Sequence, residues 1–283
     1  MADLYVGLAV IALLAVELFA AAWWFAHRVS GRASSLAAVL IIVWTFLFIF
    51  SIRDNLLLTK LLPFSNLVVL GNWFLPSAGL LSGLAWHRTS GKFVRRIPLV
   101  LLCIVSAYAT LEPLLGSPPV CENSWTETGD ICLQTSEKTC TPACAATMLQ
   151  ASGIRTTEQE MAELCLTREG TTWQGLYRGL QLKTQNTPWT VEVFECSTDE
   201  LRAMRDRPVI LSMELKKDAH GASSYMKQAG FIPGTPHAVV FYGLYNGDPN
   251  QFIICDPTGG REIWLPEALR ILWHGRGMRL VPR

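Results

Sequence analysis

Four apolar stretches, Leu4–Ala26, Ser35–Ile52, Leu67–Trp86 and Ile97–Leu115, fill most of the first 116 residues. Each is about 18 to 23 residues long, close to the ~20 that a helix needs to cross ~30 Å of hydrocarbon. A cleaved signal peptide does not account for the first, since no basic residue precedes Leu4 and three more stretches follow. Buried soluble helices do not account for them either, because four such runs leave no polar faces for water. The sequence therefore predicts four transmembrane helices. Pro98 opens the fourth, where proline is tolerated.

The short connections set an orientation. The first carries Arg28 and Arg32, and the third carries Arg88, Lys92, Arg95 and Arg96. The second carries only Arg53 and Lys60, beside Asp54. Basic residues concentrate on the cytoplasmic side of membrane proteins, so connections one and three are expected inside. Both termini, and everything after the fourth stretch, are then expected on the extracytoplasmic side of the cell membrane. Trp23, Trp24 and Trp86 suit the interfacial belts. Glu17 falls within the first stretch. An intramembrane acid can mark a proton or ion path. No second charge lies mid-span, so Glu17 is expected to be protonated or paired with another helix, facing the bundle, and a transporter is not predicted.

The rest of the chain has a different character. Charged residues are 17% of all 283, against about 25% in ordinary soluble domains. Residues 1–116 hold eight Lys/Arg and four Asp/Glu, which leaves 16 and 19 for residues 117–283, a net charge of −3. That mild acidity argues against a nucleic-acid surface. The pattern G-x-x-x-x-G-K-[ST] does not occur, so no ATPase is recognisable. The predicted organisation is a membrane region over 1–116, a polar connector over 117–132, and a globular domain over 133–283.

Within that domain a helix is expected from Cys140, with Pro142 in its first turn and Gly153 as its stop. Thr157-x-x-Glu160 and Ser197-x-x-Glu200 read as capping boxes of further helices. Another helix spans Thr172–Leu182. Strands are expected in "WTVEVFEC", "PVILSMEL", "HAVVFYGLYN", "QFIICDP" and "GGREIWLP", and a last helix over Pro266–Trp273. Helices first and an antiparallel sheet after them predict an α+β domain. A Gly/Pro/Ser-rich segment, 216–236, has the length of a lid or binding loop.

Cys103 lies in the fourth apolar stretch, and seven cysteines follow it: Cys121, Cys132, Cys140, Cys144, Cys165, Cys196 and Cys255. An odd number in an oxidising compartment leaves one thiol unpaired. The other six admit 15 pairings, of which Cys121–Cys132, around a short polar loop, is the favoured single bridge. Zinc is not predicted. Only Cys140 and Cys144 have ligand-like spacing, and no second pair matches them.

Cys140, at a helix start, gains from the positive end of the helix dipole, which favours the thiolate. A base must complete the activation. His27 and His87 lie in connections expected inside; His220 sits in the long loop and His274 near the C-terminus. His237 begins the strand "HAVVFYG", and Asp256 ends the next, "FIICDP". Adjacent antiparallel strands bring those two side chains to one edge of the sheet, as base and orienter. Gln134, six residues before Cys140, stands where an amide N–H can meet a developing oxyanion, with the Cys140 backbone N–H as a second donor.

The order "LQTSEKTCTPAC", then "HAVV", then "DP" resembles the bacteriocin-processing cysteine peptidases, the papain-like family that cleaves leader peptides after a double glycine. The resemblance covers about Leu133 to Gly260. It implies an α+β papain-like cysteine peptidase domain, with N-terminal helices packed on an antiparallel sheet, behind the four-span region. It implies Cys140 as nucleophile, His237 as base, Asp256 as orienter and Gln134 as oxyanion donor, with Cys144 at a small, buried helix position. Thr139 and Thr141 stand where the family usually has Asp and Gly. In the transporter members the peptidase domain precedes the membrane spans, faces the cytoplasm and is followed by an ATPase. The expected function is an extracytoplasmic, membrane-anchored thiol peptidase needing no cofactor or metal, with a peptide or protein substrate. The alternatives are an inactive peptide-binding module serving an exporter or sensor partner, and a disulfide-stapled structural domain.

Overall fold

The computed structural model describes residues 1–52, 59, 64–89, 93–204, 207–217 and 231–283. They form two compact units, Met1–Gly116 and Ser117–Arg283.

The first unit is helical: α1 (Ala2–Arg28), α2 (Gly31–Leu47, continued by a π-helical turn Phe48–Ile52), α3 (Leu67–Leu70), α4 (Phe74–Arg88) and α5 (Ile97–Leu111). Four stretches are long and apolar enough to cross a membrane: Ala2–Arg28, Gly31–Ile52, Leu67–Trp86 and Ile97–Leu114. The third is the hub. It is 67% buried, against 6% to 22% for the others, and α4 packs on α1, α2 and α5. Unlike the single helix expected, it breaks at Gly71–Trp73. Asn72 bridges the break: its Nδ2 donates to Ala109 O (3.0 Å) and its Oδ1 accepts from Phe74 N (3.2 Å). A side-chain amide thus satisfies backbone groups that a broken helix leaves over.

Small residues set the α1–α4 spacing. The buried face of α1 is Leu4, Gly7, Ile11, Ala15, Ala22 and Ala26, one helix stripe at three-to-four-residue intervals apart from a seven-residue step after Ala15. Against it lie Gly79 and Gly83. A Cβ at Gly79 would stand 2.5 Å from Ala15 O, and one at Gly83 would meet Phe19 O and, at 2.9 Å, Ala22 Cβ. This is the close backbone approach of a small-xxx-small contact. Glu17 corrects the expectation made for it. It lies on the exposed face of α1, away from the bundle, with no hydrogen-bond or ion-pair partner among the described residues.

In the second unit β1 (Ser124–Trp125) and β2 (Cys132–Leu133) form an antiparallel ribbon inside the segment read as a connector. Then come α6 (Cys140–Ala151), α7 (Glu158–Leu164), α8 (Trp173–Lys183), β3 (Trp189–Glu195), α9 (Thr198–Ala203), β4 (Val209–Glu214), β5 (Pro236–Leu244), β6 (Phe252–Asp256), β7 (Gly260–Trp264), α10 (Pro266–Leu272) and β8 (Trp273–Pro282). The sheet order is β3-β8-β4-β5-β6-β7, antiparallel throughout. Alternate residues Val209, Leu211, Met213 on β4 and Val239, Phe241 on β5 share one core with Leu201 of α9 and Leu269, Leu272 of α10. α6 packs on β4 and β5, next to α7 and α8.

Local chemistry explains the boundaries. Ser197 and Glu200 form a reciprocal capping box, and the Thr157 and Thr172 hydroxyls cap α7 and α8. Gly153, at φ +77°, ends α6 in a conformation that costs glycine little. The last helix ends at Leu272, one residue from its expected limit, and the residues beyond it form β8, an unexpected strand inserted between β3 and β4. One expectation is corrected. No cysteine among the described residues is bridged, so the Cys121–Cys132 disulfide is not formed. Cys132 is fully buried, with its N–H on the Thr147 hydroxyl, whereas Cys121 is part-exposed near Pro119 O. The long loop 216–236 falls largely outside the described residues, which omit 218–230 and with them His220.

Candidate active site

The site is built on the start of α6 and the facing ends of β5 and β6. Thr139, fully buried, closes the turn into the helix: its hydroxyl donates to Ser136 O (2.8 Å) and accepts from Ser136 N (3.2 Å). Cys140 follows as the first helical residue. Below it Ala143, Cys144, Ala145 and Ala146 are all buried, and their small side chains let α6 lie close on β5. Cys144 Sγ donates to Ala238 O at 3.3 Å, so this second cysteine fastens the helix to the strand that carries His237.

β5 and β6 pair with Val240 opposite Cys255, which brings the start of one strand to the end of the other. There His237 Nε2 lies 3.1 Å from each carboxylate oxygen of Asp256. Cys140 and His237 influence each other's ionisation across this edge. Asp256 is only 5% exposed, and its Oδ1 also accepts from Thr258 N (2.8 Å) and Thr258 Oγ1 (2.6 Å). Phe231 packs edge-on against the His237 ring at 5.6 Å and against Trp264 at 6.0 Å, and the His237 side chain stays 18% exposed.

The electrostatics follow from this arrangement. Burial alone would raise the Cys140 thiol; the hydrogen bond and charge of His237, with the Ala238 backbone and the Thr141 hydroxyl, outweigh it and hold the thiol below its usual value. Burial alone would favour neutral imidazole; hydrogen bonds to Asp256 and Cys140 outweigh it and push His237 up to about 10. Burial likewise opposes the Asp256 carboxylate, yet His237 and Thr258 hold it below the usual range. Other thiols move the opposite way, chiefly through burial: Cys121 and Cys196 to about 11, Cys132, Cys165 and Cys255 to about 12, and Cys144 well above normal. The set favours a thiolate on Cys140 beside an imidazolium on His237.

Gln134 is positioned differently from the other three. Its backbone N–H donates to Pro257 O (2.8 Å), which ties it beside Asp256. Its neighbour Thr135 is held by the buried Glu158 carboxylate, through both N (2.8 Å) and Oγ1 (2.7 Å). The Gln134 side chain, however, donates from Nε2 to Ser136 O (3.2 Å), and its buried Oε1 has no hydrogen-bond partner. The structure thus pairs His237 with Asp256, links Cys140 to the pair electrostatically, and holds Gln134 near Pro257 with its amide turned to its own loop. Sequence reasoning missed Thr258 and Phe231. An Asp followed two residues later by Thr is an Asx-turn signal that would have found Thr258. Among the described residues no group of three or more His, Cys, Asp or Glu has the arrangement of a metal site.

No protein-family model and no curated protein sequence matches the chain. Among solved structures it is similar to the peptidase domain of Streptococcus ComA, a bi-functional ABC transporter involved in a quorum-sensing pathway, at 22% identity and a TM-score of 0.42, covering 54% of this chain and 98% of that one. The peptidase domain of Streptococcus mutans ComA is similar at 20% identity and a TM-score of 0.35, over 54% and 99%. A double-glycine-motif protease from an AMS/PCAT transporter, in complex with its leader peptide, is similar at 14% identity and a TM-score of 0.40, over 59% and 100%.

Proposed function

We propose that the chain is a membrane-anchored, extracytoplasmic cysteine peptidase that hydrolyses a peptide bond of an exported or membrane-associated peptide or protein. One observation carries the proposal: a histidine ring nitrogen is held by a buried carboxylate, and the same histidine draws down the thiol of a cysteine at a helix start. In this mechanism the Cys140 thiolate attacks the scissile carbonyl carbon. His237 gives its proton to the leaving amine, then takes one from water as the acyl-enzyme is hydrolysed. Asp256, fixed by Thr258, keeps the ring aligned throughout. Gln134 Nε2 serves as oxyanion donor once it turns from Ser136 O. The four apolar stretches support membrane anchoring, and the six basic residues of connections one and three support the outward orientation.

A second reading is an inactive peptide-binding module. It is favoured by the Gln134 amide being engaged within its own loop and by the Thr141 hydroxyl standing 3.9 Å from the Cys140 sulfur. Incubating the full chain in vesicles with a proteome-derived peptide library, with products read by mass spectrometry, separates the two. The peptidase reading expects new peptide termini that disappear with Cys140→Ala and with His237→Ala. Identical product sets from wild type and both variants would defeat it.

A further inference from the structure

The exposed face of α1 carries a feature that the peptidase chemistry leaves unused. The stripe opposite its packed face runs Val6, Val10, Leu13, Glu17 and Trp24, at three-to-four-residue intervals apart from one longer step. Val6, Val10, Leu13 and Trp24 are 59%, 48%, 64% and 54% exposed, and Glu17 is exposed with them. At 1.5 Å per residue α1 is about 40 Å long, and Glu17 sits about 22 Å from its first residue, close to mid-depth. A carboxyl there, turned away from its own bundle, faces hydrocarbon unless another chain meets it. Intramembrane acids are costly, and they face a partner or an aqueous cavity.

Resting on the reading that the four apolar stretches span a membrane, we propose that this face of α1 docks a transmembrane helix of another protein that carries a lysine or arginine at mid-depth. Charge complementarity selects the occupant. The basic residues that bound this chain's own apolar helices, His27, Arg28, Arg32, His87, Arg88 and Arg96, all lie at helix ends or in connections. Among the described residues a second copy therefore offers Glu17 no cation at its own depth, and a symmetric contact sets two carboxyls against each other. The apolar residues above and below Glu17 supply the packing surface, and the ion pair fixes register between the helices.

The test uses the full chain, labelled with a donor fluorophore at its N-terminus and reconstituted in phosphatidylcholine vesicles. It is mixed with acceptor-labelled synthetic helices of about 20 leucine and alanine residues carrying a central Lys, a central Glu or a central Leu. Energy transfer is expected to report association about three- to tenfold tighter for the Lys helix than for the Leu helix. That preference is expected to vanish in Glu17→Leu and to move to the Glu helix in Glu17→Lys. Equal transfer for Lys and Leu helices to wild type overturns the proposal. So does self-association of the chain that Glu17→Leu abolishes, which assigns the face to a second copy. Resistance to alkaline extraction is measured on every sample: failure to insert defeats the membrane reading itself, whereas insertion without Lys preference defeats only the docking proposal.

Discussion

At the scale of the residue, reactivity here is set by what surrounds a thiol. Eight cysteines share the chain, yet the imidazolium beside Cys140 draws its thiol downward while burial drives six others up. The pH behaviour follows with a definite sign. His237 has a folded pKa of about 10, above the 6.5 of a free imidazole, so its ionisation stabilises the fold fully below about pH 6.5. That contribution is lost as pH rises through about 10. Cys140 is shifted down from 9.0, so its contribution is present above pH 9 and is lost as pH falls through its lower folded value. Urea melts of wild type and His237→Ala are expected to converge as pH rises past 10. Thr258→Val removes one of the two hydrogen bonds that Thr258 gives to Asp256 Oδ1, leaving its N–H and His237 Nε2. The expected result is a peptidase rate about tenfold lower, the scale of one charge-assisted hydrogen bond of ~1.5 kcal/mol, with substrate KM little changed. The placement of Cys140, His237 and Asp256 at element ends was legible because the pattern of each element is strong. The Gln134 rotamer was not legible, because sequence spacing places a backbone and leaves the side chain's hydrogen bond open.

Among elements, those with capping residues or clean alternation were readable: α6 to α9 and β3 to β6 lie within a few residues of their expected limits. β8 was not. Its sequence "WHGRGMRLVP" carries two glycines and two arginines, and strand propensity gives no hint of a central position. The structure supplies the reason it works: a Cβ at Gly277 would enter the Phe194 ring, so the aromatic on β3 covers the glycine it opposes. The expected effect of Gly277→Val is to expel Phe194 and destabilise the domain by about 1 to 3 kcal/mol, read as a lower urea midpoint. The break in the third apolar stretch was also hidden, since Asn72 has the same composition value wherever its amide points. In the same region, Gly83→Val drives a side chain into the Phe19 carbonyl and Ala22. Thermal unfolding in detergent is expected to show a lower Tm for Gly83→Val than for Ala12→Val, which lies on the exposed side of α1.

For the whole molecule, two compact units share one chain, and charge is distributed unevenly between residues 1–116 and 117–283. Glu17 was misjudged because hydropathy reports which residues are apolar and says nothing of which helix face is covered. The proposed outward orientation makes its own prediction: in intact cells a membrane-impermeant maleimide is expected to reach Cys140, and an engineered cysteine at Ser90, in the third connection, only after lysis. Labelling of the Ser90 position in intact cells would reverse the orientation. The central claim, an activated Cys140, is tested most directly by alkylating the full chain with iodoacetamide at pH 6 and mapping every cysteine by mass spectrometry. Cys140 is predicted to react fastest, and about 100-fold more slowly in His237→Ala, where the thiol returns toward its ordinary pKa of ~8.5. A Cys140 that reacts no faster than the part-exposed Cys121 and Cys196, or at a rate indifferent to His237, would contradict the account.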